Sequence, residues 1–219
     1  MKELICIIGP SGVGKSTVGK ILEEKYGYKY FSTSTYVNEI KNKIMLDYDY
    51  EYENNELIAA ISLYYQEGFN KFVTNILRDV GYEKIVWDSC VNVNNLDKVL
   101  IGFDKVYFLS MTAPYSERIK RVMNRSRYAN MSYEEVKNSI NDIDQYERTL
   151  GVGDLMMFSD WTINSKSIDE LKNNVNEFLN KCSPTTVKEK IQMLTYKFEK
   201  ADVQSINMEP LKKYYEGEC

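Results

Sequence analysis

Hydrophobic residues recur along this chain with two different periods, and the two alternate. Leu4-Ile5-Cys6-Ile7-Ile8 is apolar at every position, the pattern of a short strand buried on both faces. Gly9 to Lys15 is a glycine-rich loop, and Ser16 to Tyr26 carries Val18, Ile21 and Leu22 as the stripe of a helix. Tyr28 to Phe31 predicts a second strand and Thr35 to Met45 a helix, followed by an acidic, Tyr-rich connection over Asp47 to Tyr52. Glu56 to Arg78 predicts a long helix, with Leu57, Ile61, Tyr64, Tyr65, Phe69, Phe72, Val73 and Ile76 at helical spacing. Ile85-Val86-Trp87-Asp88 reads as a strand that ends in an acid, and Val106 to Leu109 as another.

Beyond these, Pro114 opens a helix to Asn124, as proline does in a first turn. Ser132 with Glu135 makes a capping box for a helix that runs to about Leu150. Trp161-Thr162-Ile163 predicts a last strand, and Ser167 with Glu170 a second capping box before Leu171, Val175 and Phe178. Strands and helices in alternation predict a three-layer α/β fold around a mostly parallel five-stranded sheet over residues 1–182. Ser183-Pro184-Thr185 breaks the pattern. Thr186 and Glu189 then cap a helix with Val187, Ile191, Leu194 and Phe198, so 183–219 reads as a C-terminal helical extension. That helix either packs back on the domain or offers a contact to a homodimer partner or another protein.

The chain has 219 residues, 43% of them hydrophobic and 27% charged, with a net charge of −4. This composition supports a buried core and argues against disorder and against a dedicated nucleic-acid coat. Histidine is absent, which removes Ser-His-Asp and Cys-His catalysis, His-ligated zinc and imidazole bases. Cys6, Cys90, Cys182 and Cys219 form no CxxC pair, so zinc is not expected, and their dispersion suits a reducing, cytoplasmic setting. No apolar run approaches the ~20 residues of a membrane helix, and the five apolar residues before Gly9 are too few for a signal peptide.

Gly9-Pro10-Ser11-Gly12-Val13-Gly14-Lys15-Ser16 matches G-x-x-x-x-G-K-[ST] in full, with a strand before it and a helix after it. Its glycines let backbone N–H groups turn toward a phosphate, and the helix start adds a positive dipole end. Lys15 would reach the β- and γ-phosphates of ATP, Ser16 would ligate Mg²⁺, and Thr17 would touch the α-phosphate. Asp88 is the only acid that directly ends an apolar strand. Beside a P-loop such an acid holds Mg²⁺ through water or lies near the acceptor oxygen; its alternative use is to cap the following turn.

Arginine is concentrated. Of six in the chain, Arg118, Arg121, Arg125 and Arg127 fall within ten residues. The first three share a helix face, and Arg127 follows in the loop. Guanidinium groups grip phosphate bidentately, so the cluster fits a lid over about 125–132. The alternative is a solvated basic face, or for Arg118 a pair with a neighbouring acid.

Together these features resemble the P-loop nucleotide kinases of the adenylate kinase and dephospho-CoA kinase type. The likeness covers residues 1 to about 180. It rests on the P-loop, Ile85 to Asp88, Ala113-Pro114 with Glu117-Arg118 and Arg121, Arg125-Ser126-Arg127, Asp144, Glu147, Gly151-Val152-Gly153 and Ser159-Asp160-Trp161-Thr162-Ile163-Asn164. The resemblance implies transfer of the γ-phosphate of Mg-ATP to a nucleotide-like acceptor bound in a helical region at about 35–80. It departs from the family on the acceptor side. Ser34-Thr35-Tyr36-Val37-Asn38 stands where the family carries Gly-Asp and then Arg, Ile143 stands where it carries Arg, and residues 1–77 contain no arginine. Two other classes fit parts of the pattern. One is a non-catalytic ATP-binding regulatory or assembly module. The other is a kinase of a hydroxyl on a nucleic acid or modified base, which the negative net charge disfavours.

Overall fold

The computed structural model describes residues 1–32, 81–88, 90, 96–149, 151–164 and 167–198. The acceptor region expected at 35–80 and the end of the C-terminal extension lie outside them, as do the helices expected over 35–45 and 56–78.

Five parallel strands form one sheet: β1 (Glu3–Ile8), β2 (Lys29–Ser32), β3 (Lys84–Asp88), β4 (Lys105–Thr112) and β5 (Trp161–Asn164). Their order is β2-β3-β1-β4-β5, so the strand with the continuous apolar run is the central one. Successive side chains of a strand point to opposite faces, and β1 supplies both cores. Leu4, Cys6 and Ile8 join Trp87 and Phe108 on one face, while Ile5 and Ile7 join Val86, Tyr107 and Leu109 on the other.

The second face is covered by α1 (Lys15–Tyr26) through Val18, Ile21 and Leu22, and by the helix Ile168–Lys181 through Leu171, Val175 and Phe178. On the first face lie α2 (Leu96–Leu100), a short helix at Val152–Met157 and the C-terminal helix Val187–Phe198. Between β4 and β5 stands a helical hairpin. In it, α3 (Tyr115–Met123) packs on α4 (Tyr133–Thr149) around Ile119, Val122, Tyr128, Val136 and Ile140. The three later helices, in chain order, are α5 (Val152–Met157), α6 (Ile168–Lys181) and α7 (Val187–Phe198).

The capping boxes form. Glu135 N donates to Ser132 Oγ, Glu170 N to Ser167 Oγ and Glu189 N to Thr186 Oγ1, at 3.2–3.3 Å. β4 extends to Thr112, beyond the apolar run that marks its centre. The helices α2 and α5 left no periodic signal, because five and six residues are too few to show one. Of the loop expected over Ser126 to Met131, the part Ser126–Tyr128 is a 3₁₀ turn, tied to the hairpin core by the buried Tyr128 ring.

The C-terminal helix packs back onto the sheet by a buried ion pair. Lys190 Nζ donates to Asp160 Oδ1 at 2.8 Å, with both side chains at most 1% exposed. Asp160 also accepts from the backbone N–H groups of Phe108 and Thr185 and from the Thr185 hydroxyl. The ammonium lies 5.2 Å from the Phe108 ring centroid.

Candidate nucleotide-binding and phosphotransfer site

The loop from Gly9 to Gly14 joins the carboxyl end of central strand β1 to α1. Its shape depends on glycine at two points. Gly9 has φ 150° and lies so close to β4 that a Cβ would meet the Met111 carbonyl oxygen at 2.5 Å. Gly12 has φ 84°, and a Cβ there would sit 2.9 Å from the Arg118 carbonyl oxygen. No side chain caps the start of α1 at Gly14, so the N–H groups of Lys15 and Ser16 remain available to an anion, while that of Thr17 donates to the Gly14 carbonyl at 3.0 Å. Lys15 folds back over the loop, its Nζ donating to the Gly9 and Pro10 carbonyls at 2.5 and 3.1 Å.

Asp88 ends β3 one strand away, in register with Ile7 of β1 and Ser32 of β2, and is 2% exposed. The Tyr30 hydroxyl donates to its Oδ2 at 2.7 Å. Burial first, and then the Asp88 charge, push the Tyr30 phenol well above its ordinary range, so it stays protonated and donating. Tyr30 reaches this position because α1 carries Gly19 beneath its ring; a Cβ there would lie 2.2 Å from a ring carbon. Gly19→Ala is therefore expected to displace the ring and loosen Asp88. The overpacking should cost about 1–3 kcal/mol in urea unfolding, and an unchanged midpoint would show that the ring does not depend on that space.

The arginines divide. Arg118 is buried: its Nε donates to the Ser11 carbonyl at 2.7 Å, and its Nη2 to both oxygens of Asp144 at 2.6 and 2.8 Å. It thus takes the alternative use, pairing with an acid, and ties the hairpin to the back of the phosphate loop. Arg121 donates to the Val13 carbonyl at 3.1 Å. Arg121 and Arg125 line a cavity of about 380 Å³ with Val13, Thr17, Ile168 and Leu171. This explains why Ile168 is 62% exposed at the start of α6. The Arg127 side chain lies outside the described residues.

Three residues of the site had no assigned role in the sequence. Tyr30 read only as part of a strand. Asp144 and Glu147 sit three apart on α4, but helical spacing alone does not say which neighbour they face. Glu147 feels the charges of Lys15, Asp144, Arg118 and Asp88, and burial raises its carboxyl above the usual range.

Ser16, in the first turn of α1, and Asp88, at the end of β3, both offer oxygen, a hard donor that fits Mg²⁺. Among the described residues no three His, Cys, Asp or Glu side chains converge as a metal cluster. Among the same residues no helix is long and apolar enough to cross a membrane.

The fold is shared with solved kinases. Shikimate kinase from Bacteroides thetaiotaomicron superposes with a TM-score of 0.53 at 14% identity, covering 81% of this chain and 96% of that one. Shikimate kinase from Acinetobacter baumannii, in complex with shikimate, gives 0.50 at 14% identity, covering 84% and 96%. In sequence the chain is 30% identical over 76 residues to a cytidylate kinase of Thermodesulfovibrio yellowstonii, a match covering 31% of this chain and 34% of that protein. The chain thus spans about a third of the length of that curated relative. Residues 5–142, from inside β1 through the phosphate loop and the arginine hairpin into α4, match the model of the AAA_18 family, an AAA domain, and the chain belongs to that family.

Proposed function

We propose that this protein is an ATP-dependent P-loop phosphotransferase that moves the γ-phosphate of Mg-ATP to a nucleotide-like small molecule. The observation that carries this reading is the complete phosphate loop between β1 and α1, with Lys15 on the loop and Arg121 and Arg125 lining the adjoining cavity. The stretch similar to a cytidylate kinase supports a nucleotide as acceptor.

In this reading the cavity takes the base and ribose of the donor nucleotide against the apolar wall of Ile168 and Leu171. The N–H groups of Gly12 to Ser16 and the Thr17 hydroxyl bind the phosphates. Lys15 exchanges the Gly9 and Pro10 carbonyls for phosphate oxygens and holds charge that develops in the transition state. Arg121 and Arg125 act on the same charge as the α3–α4 hairpin closes, and Arg127 belongs to that lid segment. Arg118 positions the loop rather than touching phosphate. Ser16 and Asp88 would hold Mg²⁺, which when bound would supply positive charge against the nucleotide's phosphates. Asp88, oriented by Tyr30, keeps its carboxylate turned to that side of the sheet. No covalent protein intermediate is needed.

The acceptor's phosphate must be gripped without arginine from residues 1–77, which leaves lysines, hydroxyls and helix ends, a weaker and less directional set. Labelled ATP should be offered to ribo- and deoxynucleoside monophosphates, nucleosides and dephospho-CoA. We expect transfer to a narrow nucleotide-like acceptor, with kcat/KM on AMP, GMP, CMP and UMP below about 10⁴ M⁻¹s⁻¹. Absence of transfer to every one of these acceptors would overturn the reading.

A further inference from the structure

One polar atom near the phosphate loop is buried without a partner. Glu147 lies on α4 one turn after Asp144, and Arg118 clamps that turn to the loop through Asp144 and the Ser11 carbonyl. Glu147 Oε2 is sealed from solvent and meets no hydrogen-bond donor. The charges acting on the carboxylate are Lys15 and Arg118, which favour it, and Asp144 and Asp88, which oppose it. Lys15 of the phosphate loop and Asp88 at the end of β3 are thus both electrostatic neighbours of this carboxylate.

A buried carboxylate oxygen left unpaired costs its full desolvation, so its position calls for a donor that arrives with the ligand. Phosphate oxygens cannot serve, since they only accept and carry the same sign of charge. Lys15 donates to the Gly9 and Pro10 carbonyls, and Arg118 is taken up by Ser11 and Asp144. A water polarised by a divalent cation is both a strong donor and a bearer of positive charge.

We propose that Glu147 is the second carboxylate of the magnesium site, accepting a hydrogen bond from a water of the shell that Ser16 and Asp88 also serve. It acts through that water and is a positioning residue. Two carboxylates beside the loop repel a metal-free polyphosphate and accept a metal-bearing one, so Glu147 sets how strongly nucleotide binding depends on magnesium. This rests on the ATP-dependent reading above.

The test is calorimetric titration of the full chain with ADP, once with excess magnesium chloride and once with EDTA. Wild-type protein should bind Mg-ADP more tightly than free ADP. Glu147→Gln should reduce that ratio by about tenfold, mainly by tightening metal-free ADP, because one nearby negative charge is gone. If Glu147→Gln does not fold, Glu147→Asp should still lower the ratio by about twofold to fivefold, since it draws the charge back by one methylene. An unchanged ratio overturns the proposal, even if the melting temperature falls, because Glu147 would then be structural. An equal change in both titrations also overturns it and assigns Glu147 to Lys15 instead. If wild-type protein binds neither form of ADP, the ATP-dependent reading fails along with the inference. Magnesium-dependent binding in the wild type with an unaltered ratio in the variant overturns the inference alone.

Discussion

Lys15→Ala is expected to lower ATP-dependent turnover by about 10³-fold while the protein stays folded. The side chain contributes no core packing. Among the described residues its ammonium bonds only to loop carbonyls, those of Gly9 and Pro10. The loop's conformation is held by other means: Gly9 against the Met111 carbonyl, Gly12 against α3, Arg118 on the Ser11 carbonyl and Arg121 on the Val13 carbonyl. Losing one preorganised charge at a site of developing negative charge typically costs about 10²–10³ in kcat. Here the chain has no histidine to share the task, so the effect should lie at the upper end. The check is steady-state turnover with the acceptor found in the screen, alongside a melting curve. Turnover within tenfold of wild type, in a folded variant, would remove Lys15 from the mechanism.

Asp160→Ala is expected to produce the largest loss of stability of any substitution considered. Alanine would leave the Lys190 ammonium buried against Phe108 with only the carbonyl and hydroxyl of Thr185 to accept from it. It would also orphan the Phe108 N–H in the middle of β4. Breaking one side of a buried ion pair costs about 3–5 kcal/mol, or a fall in Tm of roughly 6–20 °C for a chain of this size. Lys190→Met should cost less, because Asp160 keeps the donors of Phe108 and Thr185 and the methionine fills the space of the lysine stem. Calorimetric melting of both variants decides it. A smaller loss for Asp160→Ala than for Lys190→Met would mean that the pair does not govern how α7 docks on the sheet.

The features legible in the sequence are those that short-range patterns control. The run Leu4 to Ile8, the loop Gly9 to Ser16 and the stripe Val18, Ile21 and Leu22 each report their own local structure, so β1, the phosphate loop and α1 could be read in order. The capping boxes at Ser132, Ser167 and Thr186 did the same for three helix starts, because a cap joins residues only three apart. Even the arginine hairpin was visible, though not the division of labour within it.

What only the tertiary structure decided depends on residues far apart in the chain. Parallel pairing places β1 between β3 and β4, and so brings Asp88 beside a loop some eighty residues earlier. Tyr30 reaches Asp88 across 58 positions, and Arg118 reaches Ser11 across 107. Arg118 ties α4 to the loop through Asp144, and one turn on from Asp144 a Glu147 oxygen is buried without a partner, a result of packing that no local pattern shows. Sequence by itself determined the fold class and a loop built for phosphate, since backbone conformation there follows from glycine and periodicity. Which charged side chains face the phosphate, and which are consumed in holding it there, followed from packing, because a charge finds its partner only after the layers have closed around it.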